Sequence, residues 1–316
     1  MDYREFINEV ENTILDYMPP EYENAEVRID GTMKNNSVMR QGLSIHREGE
    51  VLTPKLYLDE FFQSYEEGDS MKEVCSHIAK EYTKHSLDDK TFGVESILSF
   101  EKAKDNITTK VVAAKNNRSL LRERPSTKLD DLAVMYQIEV GTTPFGRATA
   151  PVTNELMKSW GVTVSELHHL AVENTERIHP SKLSAIESIL VGIEENMLEE
   201  GITYQQCVLM VLTNEDKVGG AGVLANPQVL SKVSEVIGDS YYILPSSVHE
   251  VLVIPKECAY IMDMTPKELG AMVRDVNAEE VSKEERLSDH IYEFDKDKKT
   301  LDTVKESKEK TKDLER

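Results

Sequence analysis

The sequence predicts an α+β protein built of mixed, largely antiparallel sheets packed with helices. Segments whose apolar residues recur every three or four positions predict helices, and short apolar runs bounded by turn residues predict strands. These segments do not follow a strict β-α-β alternation, which argues against a doubly wound parallel sheet. The 316 residues are 39% apolar and 30% charged, which is enough for a hydrophobic core and predicts two domains with a charged tail.

Residues 1–86 are expected to form a small α+β domain. Its predicted elements are a helix that ends at Pro19-Pro20, strands over 25–30, 38–46 and 54–58, and a helix over 71–85. Lys34-Asn35-Asn36 is predicted to join the first two strands, because asparagine tolerates the positive φ that a tight hairpin requires.

Residues 87–130 are more polar and predict a helical and basic connection. A helix is expected over 94–104, and it is followed by the basic segment 110–128, in which six cations are opposed by Glu123 alone. Arg118 and Arg122 are the candidate contacts to nucleic acid, although a solvated connection has the same composition.

Residues 131–294 predict a larger α+β domain. Its predicted elements are strands over 132–140 and 147–153, helices over 163–174 and 183–193, a strand over 206–213, a helix over 227–237, strands over 241–244 and 248–254, a helix over 266–276 and a strand over 287–294. Thr163-Val164-Ser165-Glu166 is a capping box that begins a helix, and Gly238 is suited to end one. Residues 295–316 are almost entirely polar and are expected to form a disordered or exposed tail.

Charge and cysteine content narrow the classes of function. The formal charge of -21 repels phosphate at long range, so nucleic acid is not an expected general partner. Cys75, Cys207 and Cys258 form neither a CxxC pair nor a disulfide framework, which favours the cytoplasm. The acidic N-terminal residues and the absence of a long apolar run predict neither secretion nor membrane insertion.

Ser246, Ser247 and His249 are the candidate catalytic residues, in the stretch YYILPSSVHEVLVIP. Leu244-Pro245-Ser246-Ser247 fits a type I turn, which predicts a hairpin and places His249 and Glu250 on opposite faces of its second strand. Ser247 and His249 then share a face, but no GxSxG elbow surrounds them. A hairpin whose serines bond the turn backbone is therefore favoured over a nucleophile beside its base.

Gly219, Gly220 and Gly222 are the candidate residues for binding an anion or another ligand. They follow a predicted strand and precede a predicted helix, where backbone amides are able to cradle phosphate, with Asn214 and Asn226 at the edges. The loop lacks the lysine of a Walker sequence and the spacing of GxGxxG, so close approach of a helix to the sheet is the alternative.

Metal binding and cofactor binding are not predicted. His168 and His169 are adjacent on a predicted helix and point about 100° apart, so they are not spaced to hold one ion together. Asp130, Asp131 and Asp289 are far apart in sequence, and surface solvation explains them.

Several strings carry a resemblance to a known family: TNELMKSWGVTVSELHHLAVENT at 153–175, VLTN at 211–214, YYILPSSVHEVLVIP at 241–255 and MVRDVNAEEVSKEERLSDHIYEFD at 272–295. As a set they resemble an uncharacterised bacterial family, a domain of unknown function. The resemblance implies a bacterial, cytoplasmic α+β protein and carries no activity, catalytic residue or ligand.

Three hypotheses of function follow. The first is a binding or regulatory protein whose acidic surface contacts a basic protein partner, since charge is the most pronounced feature of the sequence. The second is an enzyme, such as a hydrolase, whose dispersed site joins Ser246, Ser247 and His249 to the glycine loop. The third is nucleic-acid binding through 110–128.

Overall fold

The computed structural model describes residues 1–49, 53–84, 94–143, 146–193, 195–199, 209–245 and 247–305. The fold is α+β, as the sequence predicts, with three antiparallel sheets packed with helices. None of the described helices is both long enough and apolar enough to cross a membrane.

The helices are α1 Tyr3–Thr13, α2 Asp59–Glu67, α3 Met71–Lys84, α4 Val94–Leu98, α5 Phe100–Ala103, α6 Arg118–Glu123, α7 Asn154–Trp160, α8 Val164–Ile178, α9 Ile186–Leu190, α10 Pro227–Ile237, α11 Lys256–Ile261 and α12 Pro266–Glu279. The strands are β1 Glu26–Met33, β2 Met39–His46, β3 Leu56–Tyr57, β4 Ile107–Ala113, β5 Ser126–Leu129, β6 Leu132–Thr143, β7 Gly146–Pro151, β8 Ser181–Ala185, β9 Met210–Asn214, β10 Tyr241–Leu244, β11 Val251–Pro255, β12 Tyr292–Asp295 and β13 Thr300–Thr303.

The chain divides into two compact units that interleave along the sequence. Unit 1 comprises Met1–Ile107 and Gln137–Val162, and unit 2 comprises Thr108–Tyr136 and the described part of Thr163–Arg316. This division differs from the predicted boundaries at residues 86 and 130. The reason is the long strand β6, whose first residues pair with β5 and whose later residues pair with β7.

Unit 1 is built around the sheet β1-β2-β3 and its helices. α1 begins at a capping box in which the carboxylate of Asp2 accepts the amide of Glu5, and it buries Phe6 and Val10. These two residues join Leu43 of β2 in one apolar cluster. The β1–β2 hairpin turns through Asn36 at a φ of 56°, which confirms the predicted use of asparagine at this turn.

Unit 2 contains a six-stranded antiparallel sheet in the order β13-β12-β10-β11-β9-β8. α12 buries Leu269 and Val273 against a cluster that includes Leu244 of β10 and Ile254 of β11. α10 ends at Gly238, whose φ of 84° confirms the predicted left-handed cap. α8 begins at the capping box of Thr163, as predicted, and continues to Ile178.

Several elements differ from the prediction, for physical reasons. Residues 183–193 are not one helix, because β8 and β9 pair through Leu183 and Leu212 before the short helix α9 begins. The predicted strand over 287–294 starts only at Tyr292. Strands β4 and β5 lie in the range predicted as a helical connection. β13 lies in the predicted tail, where Leu301 pairs with Phe294 of β12. Residues 206–208 and 306–316, parts of a predicted strand and of the predicted tail, lie outside the described residues.

Candidate functional site

The two segments that the sequence marks as candidates lie beside each other in unit 2. A 3-10 turn over Gly220–Ala225 follows β9, and the amide of Ala221 donates to the carbonyl oxygen of Val248 at 3.2 Å. The amide of Gly219 donates to Nδ1 of His249 at 3.2 Å. Because β9 and β11 are antiparallel neighbours in the sheet, the loop after β9 and the loop before β11 meet at the same end of the two strands.

Gly220 is required by the closeness of this contact. A Cβ atom there would lie 2.1 Å from Oγ1 of Thr213 and 2.4 Å from the carbonyl oxygen of His249. Thr213 itself donates to that carbonyl oxygen at 2.8 Å. The glycine therefore allows the turn to approach the sheet, which is the structural alternative considered for this loop.

The amides of Gly219, Ala221 and Gly222 are already used within the protein. Beyond the bonds of Gly219 and Ala221 described above, the amide of Gly222 donates to the carbonyl oxygen of Gly219 at 3.0 Å. Asn214 accepts from the amide of Val218 and donates to its carbonyl oxygen, and Asn226 caps α10 by accepting the amide of Gln228. Donors directed at protein acceptors do not form an anion cradle, so this geometry gives the loop a structural role.

The geometry around His249 differs from that of a nucleophile beside its base. Nδ1 accepts the amide of Gly219, so the neutral ring carries its proton on Nε2, which lies 3.5 Å from Oε1 of Glu285. Ser247 accepts the backbone amide of His249 at 3.0 Å, as serines do in turns. Ser246 lies outside the described residues.

The predicted hairpin is present, but its second strand begins later than predicted. β10 and β11 pair from Tyr241 with Pro255 to Leu244 with Leu252, and β11 starts at Val251 rather than at residue 248. His249 therefore lies in the connecting loop, and the strand alternation used to separate it from Glu250 does not apply there.

A small cavity lies at the glycine loop, lined also by residues of α8, β8 and β9. Its volume of about 10 Å³ matches one water molecule and is too small for a substrate. In the wall of the cavity, Nδ1 of His179 lies 2.7 Å from Oδ2 of Asp216, and Glu176 accepts the hydroxyl of Ser181 at 2.6 Å. These bonds satisfy buried polar groups.

The aspartates at the β5–β6 turn hold the segment that leads into β12 and β13. Asp131 accepts from the hydroxyls of Ser288 and Tyr292 and lies 2.9 Å from Nδ1 of His290. Asp130 accepts the amide and the hydroxyl of Thr303, which lowers the pKa of its carboxyl. This role is not visible in the sequence because the partners lie more than 150 residues away. Among the described residues, no group of three His, Cys, Asp or Glu side chains is arranged to hold a metal ion.

Arg118 and Arg122 lie four residues apart on the exposed side of α6. Arg124, just after this helix, is half-buried, and its burial lowers the pKa of its guanidinium. The helix spans less than two turns, so the pair forms a small basic spot rather than a continuous basic surface.

A surface that the sequence analysis missed lies on α12. Met272 and Val276 are 47% and 43% exposed, beside the buried stripe of Leu269 and Val273. Each residue of a helix is rotated by about 100° from the one before it. This rotation places the acids of α12 next to Met272 and Val276, on the side away from the buried stripe. We call Met272 and Val276 with these acids, Glu268, Asp275 and Glu279, the acid-rimmed face. The helical periodicity of 266–279 was a sufficient signal to find this arrangement.

Comparison with protein families gives one match, over residues 3–296, to a family of unknown function, DUF5688. The chain belongs to this family. The matched residues include the strings on which the resemblance was based, and they cover nearly all of both units. A search of curated proteins and a search of solved structures each found no match to the chain.

Membership of DUF5688 carries no activity, so function must be argued from this geometry. The structure brings together Gly219, Gly220 and Gly222 with Ser247 and His249, and it gives each a contact that stabilises the fold. It places Arg118 and Arg122 in the same unit, on another element. Surfaces of this DUF5688 chain that expose apolar side chains or an excess of one charge are better candidates for binding a partner than these residues are.

Proposed function

We propose that the protein is a binding or regulatory protein of the bacterial cytoplasm that contacts a basic protein partner through the acid-rimmed face of α12. The observation that carries this proposal is the exposure of Met272 and Val276 directly beside three carboxylates. Exposed apolar groups rimmed by polar ones are typical of protein interaction surfaces.

The charges of α12 are segregated, which supports a basic partner. Lys267 and Arg274 lie nearly half a turn around the helix from Met272 and Val276, so the cations of the helix are directed away from the strip. The formal charge of -21 strengthens the attraction of a basic surface and speeds its encounter with the protein.

The preceding helix also exposes apolar side chains. α11 buries Ala259 in the same cluster as Leu269 and Val273, and it exposes Tyr260 by 85% and Ile261 by 69%. Tyrosine is enriched among the residues that dominate binding energy at interfaces. Charge therefore supplies steering in this proposal, and the burial of apolar side chains supplies affinity.

The enzyme hypothesis stays a prediction and is not favoured by the geometry. Ser247 contacts the backbone of His249 and not its ring, and the amides of Gly219 and Gly222, two of the three candidate glycines, donate to protein acceptors. Cytoplasmic location is supported by the free thiol of Cys75.

The proposal is tested by affinity capture from a lysate of the source organism with four matched baits. These are the wild type, Met272→Ser with Val276→Ser, Asp275→Asn with Glu279→Gln, and Lys267→Gln on the opposite side of α12. A true partner is retained by the wild type and by Lys267→Gln, and its affinity falls about tenfold or more in both double variants. The same proteins on all four baits, with every variant folded, would exclude the acid-rimmed face as the binding surface.

A further inference from the structure

A groove of about 1040 Å³ runs across unit 1, which is large enough for a small-molecule ligand. Its lining includes the cations Lys34, Arg40, Lys55 and Arg147, and the carboxylates of Glu60 and Glu81. Across the whole chain acids outnumber bases by 58 to 37, so this excess of cations runs against the composition. We call this cavity the basic groove.

Three of these cations come from one face of the first sheet. Thr32 pairs with Arg40, and Gly42 pairs with both Asp30 and Tyr57, so these side chains project to the same side. Lys34 follows Thr32 by two residues and continues the alternation, and Lys55 precedes Tyr57 by two. The opposite face of the sheet contributes Leu43 and Ile45 to the core. The basic groove is therefore a product of strand register.

Gly42 makes room for one of the cations. A Cβ atom at this position would lie 2.5 Å from Cγ of Lys55, so the stem of the lysine crosses the sheet where the glycine has no side chain. Its ammonium then reaches Oδ1 of Asp30 at 2.5 Å and Oγ1 of Thr32 at 3.2 Å. These contacts fix the position of the lysine on the groove face.

The cations of the lining outnumber its carboxylates by four to two, and the lining is partly aromatic. Nζ of Lys34 lies 4.0 Å from the ring centroid of Tyr57, which combines a cation with an aromatic surface. Residues outside the lining pair with charges on both sides of this count. The carboxylate of Glu81 is 2.6 Å from Nζ of Lys84, Lys55 contacts Asp30, and Nη1 of Arg147 lies 3.9 Å from Oε1 of Glu139.

We propose that the basic groove binds a small molecule that carries phosphate groups, with Arg40 and Lys34 as the main phosphate contacts and Tyr57 against the rest of the ligand. A guanidinium presents a planar set of donors that matches phosphate oxygens, and an ammonium adds a compact positive charge. This site is separate from the acid-rimmed face, which belongs to unit 2. If the basic groove did not bind such a molecule, the function proposed for the acid-rimmed face would be unchanged.

Isothermal titration of the full chain with pyrophosphate and with ATP, both without divalent metal, tests the proposal. The test variant is Lys34→Gln with Arg40→Gln, and the matched control is Lys72→Gln with Lys80→Gln, which removes the same charge from exposed positions of α3 outside the groove. We expect at least one probe to bind the wild type and the control equally, and affinity to fall about tenfold or more in the test variant.

Two further variants keep the test decisive if the double substitution disturbs folding. Lys34→Gln alone, at a partly exposed position, should lower affinity without a change in Tm, and Gly42→Ala should lower it by displacing Lys55. Absence of binding by the folded wild type for both probes would overturn the proposal. An equal loss of affinity in the test and control variants would also overturn it, because binding would then depend on overall charge and not on the groove.

Discussion

The amide of Gly219 donates a hydrogen bond to Nδ1 of His249 across 30 residues of sequence. This contact explains why a glycine loop and a serine-histidine stretch both stand out in the sequence. The loop needs small residues to approach the sheet, and its amide then supplies the hydrogen-bond donor that Nδ1 of His249 needs in the folded state. The residues that look most like a catalytic site thereby join β9 to β11.

Gly220→Ala should destabilise the protein by about 2–3 kcal/mol, because the new methyl group has no space beside Thr213 and the carbonyl oxygen of His249. Gly222→Ala is the control, since its Cβ atom would meet Oγ1 of Thr109 only at 3.4 Å. We expect that control to cost less than about 1 kcal/mol. Urea unfolding of both variants measures the difference, and equal costs would contradict the steric explanation.

Asp131→Ala should destabilise unit 2 more than Tyr292→Phe does. The first change leaves the buried hydroxyl of Tyr292 without its acceptor, at a cost of about 1–3 kcal/mol, whereas the second leaves the carboxylate with Ser288 as a donor. Burial and the neighbouring carboxylate both raise the pKa of Tyr292, so its hydroxyl remains a donor. A double-mutant cycle by chemical denaturation checks this order, and additive effects would contradict coupling of the pair.

His168 should make stability depend on pH in the mildly acidic range. Nδ1 lies 3.1 Å from the hydroxyl of Tyr136, and partial burial, followed by the charge of His169, lowers the pKa of its imidazole. The unfolded chain then binds a proton more readily than the folded chain, so stability is full above about pH 6.5 and falls as the pH drops below that value.

The variant His168→Gln tests this dependence. It should flatten the decline in Tm between about pH 7.5 and pH 5 relative to the wild type. His77→Gln is the control, because that side chain is exposed and lies in unit 1, whereas His168 belongs to unit 2. A decline of the same slope in the wild type and in His168→Gln would show that His168 is not its source.

The basic spot on α6 should not support nucleic-acid binding at physiological salt. Two exposed arginines on one short helix are few against a formal charge of -21. We expect neither the wild type nor Arg118→Glu with Arg122→Glu to shift a duplex DNA or a single-stranded RNA in a mobility assay. Binding by the wild type that the charge reversal abolishes would restore the nucleic-acid hypothesis.

Signals within a few residues predicted much of the fold. The capping box at Thr163, the left-handed cap at Gly238 and the asparagine turn at Asn36 each depend on backbone groups close in sequence, and the structure contains all three. Such features are decided locally, so one sequence is sufficient to find them.

Features that depend on pairing between distant segments were not predictable in the same way. The spacing of Leu183 and its neighbours fits a helix, but pairing with β9 makes this segment a strand. The contact between Gly219 and His249 arises from strand order, and that between Asp131 and Tyr292 joins two different sheets. The sequence pattern fixes neither. The basic groove likewise required knowledge of which face of the first sheet is buried.

The interleaving of the two units has a consequence for biosynthesis. Unit 1 needs residues 137–162, which are translated after residues 108–136 of unit 2. A nascent chain therefore has to hold an incomplete first unit until residue 162 has left the ribosome, and folding in simple N-to-C order is not available to it. A truncation after residue 107 would also lack Arg147 and the adjoining wall of the basic groove. A fragment for expression should therefore contain residues 1–162 without interruption, including residues 108–136 of unit 2.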